Sequence, residues 1–248
     1  MPAKLSVNIN KIATIRNARG GDTPNVLKAA NDCEAFGADG ITVHPRPDER
    51  HITGKDVYDI APTIQTEFNI EGYPNDRFMK MIEEVKPDQA TLVPDGPDVL
   101  TSENGWDTVS KKDFLTDILA QIKSLGIRTS LFIETDAKMI ENAAVVGADR
   151  IEFYTGPYAH YYHQDKKAAI QPYVQMAKVA KVNGLGINAG HDLSLENLQY
   201  FAQEIPELLE VSIGHALIVE SLYYGLENVV NMYKNKLAKG NLANQSTL

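Results

Sequence analysis

The chain has 248 residues, 43% of them hydrophobic, enough for one large domain or two small ones with a sizeable core. Its net charge of −9 argues against nucleic acid and anionic membrane surfaces as main partners. Cys33 stands alone, which excludes a disulfide framework and a cysteine-built metal site; no apolar run approaches the ~20 residues of a membrane span. The N-terminus lacks a signal peptide's apolar centre, so the cytoplasm is the expected location.

The first predicted strand, 5–9, runs into Asn8, Asn10 and Lys11. Thr23 before Pro24 predicts a helix start, a cap residue ahead of a proline at the first helical position. The second strand, 40–44, is β-branched at Ile41, Thr42 and Val43 and ends at His44, because Pro45 and Pro47 forbid both continued pairing and a helix. The stiff loop that follows carries Arg46, Arg50 and His51. An imidazole at a strand end can move a proton near neutral pH, and a guanidinium beside it can grip a phosphate.

The third strand, 69–71, closes on Glu71 before Gly72 and Pro74 turn the chain away. Strands follow at 89–93, 128–133, 150–154, 186–189 and 209–213. A shared pattern, a glycine-stopped helix and then a short apolar strand, links 36–43, 125–132, 146–153 and 183–188. Ser110 with Asp113, and Ser194, are further predicted helix starts. Two segments exceed ordinary loop length, 94–107 and 155–164; the first has two glycines placed to act as hinges and reads as a lid. Residues 239–248 form a polar tail expected to fray.

Eight strands alternating with helical patterns in one chain predict an α/β fold, a (β/α)8 barrel forming a single domain over 1–238. A doubly wound sheet is the alternative, but no Gly-x-Gly-x-x-Gly follows the first strand. In a barrel the strand C-termini converge. Here they bring Asn8, His44 and Glu71, then Glu152, Asn188, His191 and His215, to one face. The absence of a His-x-His pair on any strand argues against a metal. Backbone N–H groups near Gly190 and Gly214 suit one phosphate, and Arg16, Arg19 and Arg46 suit a second anion. Two anion sites around acid–base groups point to joining two phosphorylated fragments. His160 and His163 read as surface or interface residues.

The segments 7–20, 37–44 with 50–53, 185–191 and 213–216 resemble the pyridoxine 5′-phosphate synthase family, and the similarity runs in order over about 4–237. The resemblance implies a cytoplasmic barrel transferase of vitamin B6 biosynthesis, a homo-oligomer with an octamer built from dimers in the best-known members. It implies condensation of 3-amino-2-oxopropyl phosphate with 1-deoxy-D-xylulose 5-phosphate to pyridoxine 5′-phosphate, phosphate and water, with no metal or organic cofactor. By the same resemblance His44 and Glu71 are proton acceptors and His191 the proton donor. Asn8, Arg19, Gly214 and His215 hold the aminoketone phosphate; Arg46, His51 and Thr101 hold the deoxyxylulose phosphate. Three departures bear on substrate grip: Asn10-Lys11 where the family has Asp-His, Gly72-Tyr73-Pro74 where it has small apolar residues, and Asp192 where it commonly has glycine. Asn10, Lys11 and Asp192 are therefore candidate substrate-binding residues, and Asp192 is expected either to point away from the anion site or to pair with a cation such as Lys11. A non-catalytic phosphate-binding barrel and another phosphosugar aldolase or isomerase are the alternative readings.

Overall fold

The computed structural model describes residues 1–95 and 104–245. Strands β1 (Lys4–Asn8), β2 (Gly40–Val43), β3 (Glu67–Gly72), β4 (Gln89–Leu92), β5 (Arg128–Ile133), β6 (Arg150–Tyr154), β7 (Gly186–Gly190) and β8 (Leu208–Ile213) pair in parallel in sequence order. The last strand returns to the first, with Lys4 opposite Glu210 and Val7 opposite Ile213, so the sheet closes as a (β/α)8 barrel. Two helices, α1 (Asn10–Arg19) and α2 (Val26–Ala35), follow β1. Then come α3 (Gly54–Ile60), α4 (Asp76–Val85), α5 (Lys112–Ser124), α6 (Ala137–Val145), α7 (Gly156–Val182), α8 (Leu198–Glu204), α9 (His215–Tyr224) and α10 (Leu226–Gln245).

Strand side chains alternate between the two faces of the sheet. Leu5, Val7, Ile41, Val43, Ile151 and Phe153 are fully buried in the apolar layer shared with the helices. Their alternates face the barrel axis, and most are polar, where barrels of this type usually pack Val, Ile and Leu. Such an interior is stable only if its polar atoms find partners. At the N-terminal end of the barrel the partners are long charged and carboxyl side chains: Glu67 pairs with Lys4 and Arg128, and Arg150 Nη1 lies 3.4 Å from Glu210 Oε2. In the middle they are amides and hydroxyls: Asn188 Nδ2 donates to Gln89 Oε1 at 3.4 Å across the barrel, Thr91 Oγ1 to Asn69 Oδ1 at 3.0 Å. Asn69 Nδ2 in turn donates to Thr42 Oγ1 at 3.3 Å. At the C-terminal end the alternation delivers the titratable groups.

Several local expectations need correction. Residues 156–164, expected as a long loop, are helical: Pro157 occupies the first turn of α7, and the irregularity falls instead at Asp165, whose backbone is non-helical. Asp165 Oδ1 accepts from the N–H groups of Lys167 and Ala168, capping the second half of that helix. The expected frayed tail continues α10 as far as Gln245. Asn25, not Thr23, caps α2, its side chain accepting from Lys28 N–H at 2.7 Å. Ser110 and Ser194 likewise precede turns rather than helices, since α5 and α8 begin at Lys112 and Leu198. The capping box lies at Thr53 and Asp56, opening α3. Gly105 is no hinge: a Cβ there would lie 2.5 Å from the Glu134 nitrogen, so glycine permits close backbone approach. Beside it Trp106 is buried, its Nε1 donating to Leu92 O at 2.9 Å. Residues 96–103 of the expected lid, Thr101 among them, lie outside the described residues.

Candidate active site

The loop after β2 is held from both sides. Arg16 of α1, buried, pairs with Asp56 of α3 and donates to His51 O at 3.2 Å; Asn17 Nδ2 donates to the same oxygen at 2.8 Å. Arg16 is therefore a brace for the loop and not the anion ligand expected of it. From α4, Arg77 donates to Pro45 O and Arg46 O at 3.0 and 3.2 Å. Arg46 is itself buried, with Nη2 2.8 Å from Asp95 Oδ2. His51 Nδ1 accepts from Ile52 N–H at 2.9 Å, which leaves Nε2 as the protonated nitrogen. Burial, then Arg46 and Lys11, push His51 down to about 4, so it is a neutral hydrogen-bond donor at neutral pH.

Asn10 opens α1 and does more than replace a carboxylate. Its backbone N–H donates to Asn8 Oδ1 at 3.1 Å, while its own Oδ1 accepts from His44 N–H at 3.0 Å. The amide thus ties the end of β1 to the end of β2. Asn8 Nδ2 reaches on to Glu71 Oε2 at 3.3 Å, and Ser212 Oγ reaches Glu71 Oε1 at 3.4 Å from across the barrel. His44 Nδ1 lies 4.0 Å from Glu71 Oε2.

Three titratable groups face one another here, and their surroundings separate them. Burial lowers His44 well below the ordinary histidine range, reinforced by Arg46, His51 and Arg50. Burial raises Glu71 to about 7, against the opposing pull of His191, Ser212 and Arg46. At His191 burial again favours the neutral ring. The hydrogen bond and charge of Asp192, helped by Glu71, outweigh it, so the net shift is upward. Their acidities are thereby set apart. Below them sits Glu152, buried, with Oε2 lacking a hydrogen-bond partner among the described residues; burial, then Glu71 and Glu210, raise it well above the carboxylate range. Glu152 lines the same cavity as these three groups, and a carboxyl that keeps its proton can donate as well as accept.

These groups line one cavity of about 670 Å³ at the C-terminal mouth of the barrel. It brings together Asn8, Asn10, Lys11, His44, Arg46, His51, Glu71, His191, Asp192, Gly214 and His215. Arg19, exposed at the end of α1, is not among its lining residues. Asp192 pairs with its neighbour His191, Oδ2 to Nδ1 at 2.6 Å, and not with Lys11. Helix α9 starts at the cavity rim, directly after Gly214, whose Cα faces Asn8 so closely that a Cβ would meet its side chain at 3.1 Å. No helix starts at Gly190, because α8 begins eight residues later. Glycine is required there since a Cβ would come within 2.6 Å of Glu152 Oε1 and Ser212 O. Tyr154, Phe132 and Ser212 also line the cavity and were missed from the sequence. The signal was available: Tyr154 stands two residues past Glu152, and Ser212 two before Gly214, on the inward parity of their strands.

A closed (β/α)8 barrel whose mouth gathers carboxyl and imidazole groups of divided acidity, with a helix N-terminus at the rim, defines an acid–base barrel enzyme for small anionic molecules. The family model "Pyridoxal phosphate biosynthesis protein PdxJ" matches residues 5–239, and the chain belongs to this family. The pyridoxine 5′-phosphate synthase of Bacteroides thetaiotaomicron is 61% identical over 234 residues, spanning 94% of this chain and 99% of the relative. That of Porphyromonas gingivalis is 60% identical over 235 residues, 95% and 99% of the two chains. Among solved structures, phosphoribosylanthranilate isomerase of Thermotoga maritima superposes with a TM-score of 0.58 at 12% identity, covering 95% of this chain and 98% of that one; it shares the fold.

Proposed function

We propose that this chain is a pyridoxine 5′-phosphate synthase, condensing 3-amino-2-oxopropyl phosphate with 1-deoxy-D-xylulose 5-phosphate to pyridoxine 5′-phosphate, phosphate and water. The observation that carries the reading is the single cavity in which His44, Glu71 and His191 meet with their acidities set apart. Joining the amine to the ketone as an imine, expelling phosphate and closing an aromatic ring each move protons. Neutral His44 and a Glu71 that ionises near neutrality accept them; cationic His191 gives one to a departing oxygen. Holding both substrates in one cleft removes much of the entropic barrier to ring closure.

Phosphate grip divides between two ends of the cavity. The N–H groups at the start of α9, which has no side-chain cap among the described residues, suit the aminoketone phosphate together with His215 and Asn8. Arg46 and the protonated Nε2 of His51 suit the deoxyxylulose phosphate, with Thr101 and Arg19 joining as the family resemblance implies. Lys11 lies between, a cation beside both histidines. The reading includes a cytoplasmic enzyme and a homo-oligomer of dimers, up to an octamer. Exposed Leu222, Tyr223 and Tyr224 at the end of α9 support association, which light scattering after size exclusion tests. Among the described residues no helix is long and apolar enough to cross a membrane.

The deciding experiment mixes purified protein with both phosphorylated substrates and follows product absorbance and released phosphate. Product from the pair, and none from either substrate alone, is expected. Folded protein that binds both and turns over neither would leave a binding barrel as the reading; turnover of one alone would leave an isomerase or aldolase.

A further inference from the structure

His191 stands one residue past β7 with φ of 84°, a left-handed backbone that a non-glycine residue keeps only where its surroundings hold it. Here they do. Its N–H donates to Ser212 O at 3.3 Å, and the N–H of Asp192 donates to Thr155 Oγ1 at 3.3 Å. Asp192 O accepts from Asn197 Nδ2, also at 3.3 Å. The ring is fixed too: Asp192 Oδ2 lies 2.6 Å from Nδ1, and the Tyr154 ring meets it edge-on, centroids 5.7 Å apart. A carboxylate only accepts hydrogen bonds, so Nδ1 carries a proton and Nε2 is the nitrogen left for the cavity that His191 lines.

We propose that Asp192 is a positioning residue for His191, holding the imidazole by Nδ1 so that Nε2 delivers the proton to the substrate. The proposal rests on the reading of His191 as proton donor and goes beyond it. Asp192 stands where the family resemblance implies glycine, and it is half-exposed beside an anion site, where a carboxylate repels substrate phosphate unless it has a cationic partner. A protonated His191 is that partner. The charged groups facing the ring agree with this assignment. Asp192 on its own loop and Glu71 from β3 favour the cation; Lys11 from α1 opposes it. Glu152 and Tyr154 from β6 line the same cavity, as do His44, Arg46, Arg50 and His51 from β2 and its loop and His215 from α9.

The test uses full-length Asp192→Asn and Asp192→Gly, with Tm recorded to establish folding. In protein with isotope-labelled histidine and no substrate, NMR reads the His191 titration directly. Its midpoint is expected to fall in both variants by on the order of one pH unit, as for loss of an adjacent carboxylate. In turnover, kcat is expected to fall roughly tenfold or more with KM for either substrate changed less than about threefold. Activity that needs protonated His191 declines as pH rises through its pKa, so the alkaline limb of kcat should move to lower pH in Asp192→Asn. A His191 titration unchanged in that variant, or a limb that stays in place while kcat holds, overturns the proposal. Absence of turnover by the unmodified protein would instead sink the proposed function, and the NMR titration would still decide whether Asp192 controls His191.

Discussion

At the scale of the residue, Glu71 is the group whose chemistry is set most completely by its surroundings. Asn8 and Ser212 each give one of its oxygens a long hydrogen bond, too weak to hold the anion firmly against burial. Its ionisation near pH 7 follows, and with it a prediction: kcat should rise with pH through about 7 as the base deprotonates. Glu71→Gln keeps size and hydrogen bonding but removes the base. Turnover should fall by on the order of a hundredfold or more, with Tm and substrate binding retained. Lost Tm with a preserved rate would make Glu71 a structural residue. Asn10 gives a second check. Asn10→Ala removes the acceptor for His44 N–H and should cost about 1 kcal/mol of stability, read by urea denaturation, while lowering kcat through a loosened His44.

At the scale of the element, the loop after β2 depends on the start of α3. Thr53 and Asp56 cap that helix reciprocally, and Asp56 also neutralises the buried Arg16 that holds His51 O. The two roles separate by mutation. Thr53→Ala should cost about 1 kcal/mol, a Tm decrease of roughly 2–4 °C in a chain of this size. Asp56→Ala leaves a buried guanidinium without its counter-charge and should cost about 3–5 kcal/mol, with binding at His51 weakened as well. Equal Tm values for the two variants would mean that the Arg16 pair contributes nothing beyond the cap. Helix α7 teaches a related lesson: Tyr158-Ala-His-Tyr-Tyr-His163 reads as loop by composition. Yet Tyr158 is fully buried against Phe201, Tyr162 and Tyr173, and that packing keeps the segment helical.

At the scale of the molecule, the polar barrel interior makes stability depend on pH with a definite sign. Burial, then Glu67, raises Glu210 to about 8, so the folded state holds a proton that the unfolded chain releases near 4.5. The folded state then binds more protons, and stability falls as pH rises from about 4.5 to about 8. Glu71 contributes with the same sign up to about 7. Glu210→Gln stays neutral and can still accept from Arg150. Its Tm relative to the unmodified protein should therefore climb across that window, as scanning calorimetry at several pH values would show. A constant difference would mean that Glu210 is ionised throughout, held by Arg150.

The sequence by itself determined the barrel, because eight short strand patterns alternating with helical ones, four of them announced by a glycine-stopped helix, admit few other closed arrangements. It also pointed to His44, Glu71 and His191 as candidate acid–base groups, since each sits where proline or glycine ends a strand. Tertiary structure decided what each group is paired with. Arg16 looked like an anion ligand until Asp56, 40 positions away, was seen to neutralise it. Asp192 looked like a partner for Lys11 until the turn after β7 laid it against His191. Burial in the closed barrel is what raises Glu152 well above the carboxylate range and leaves its Oε2 without a hydrogen-bond partner among the described residues. Residue type and period are local properties, written along the chain; burial and charge pairing depend on which strands lie opposite, and closure alone sets that.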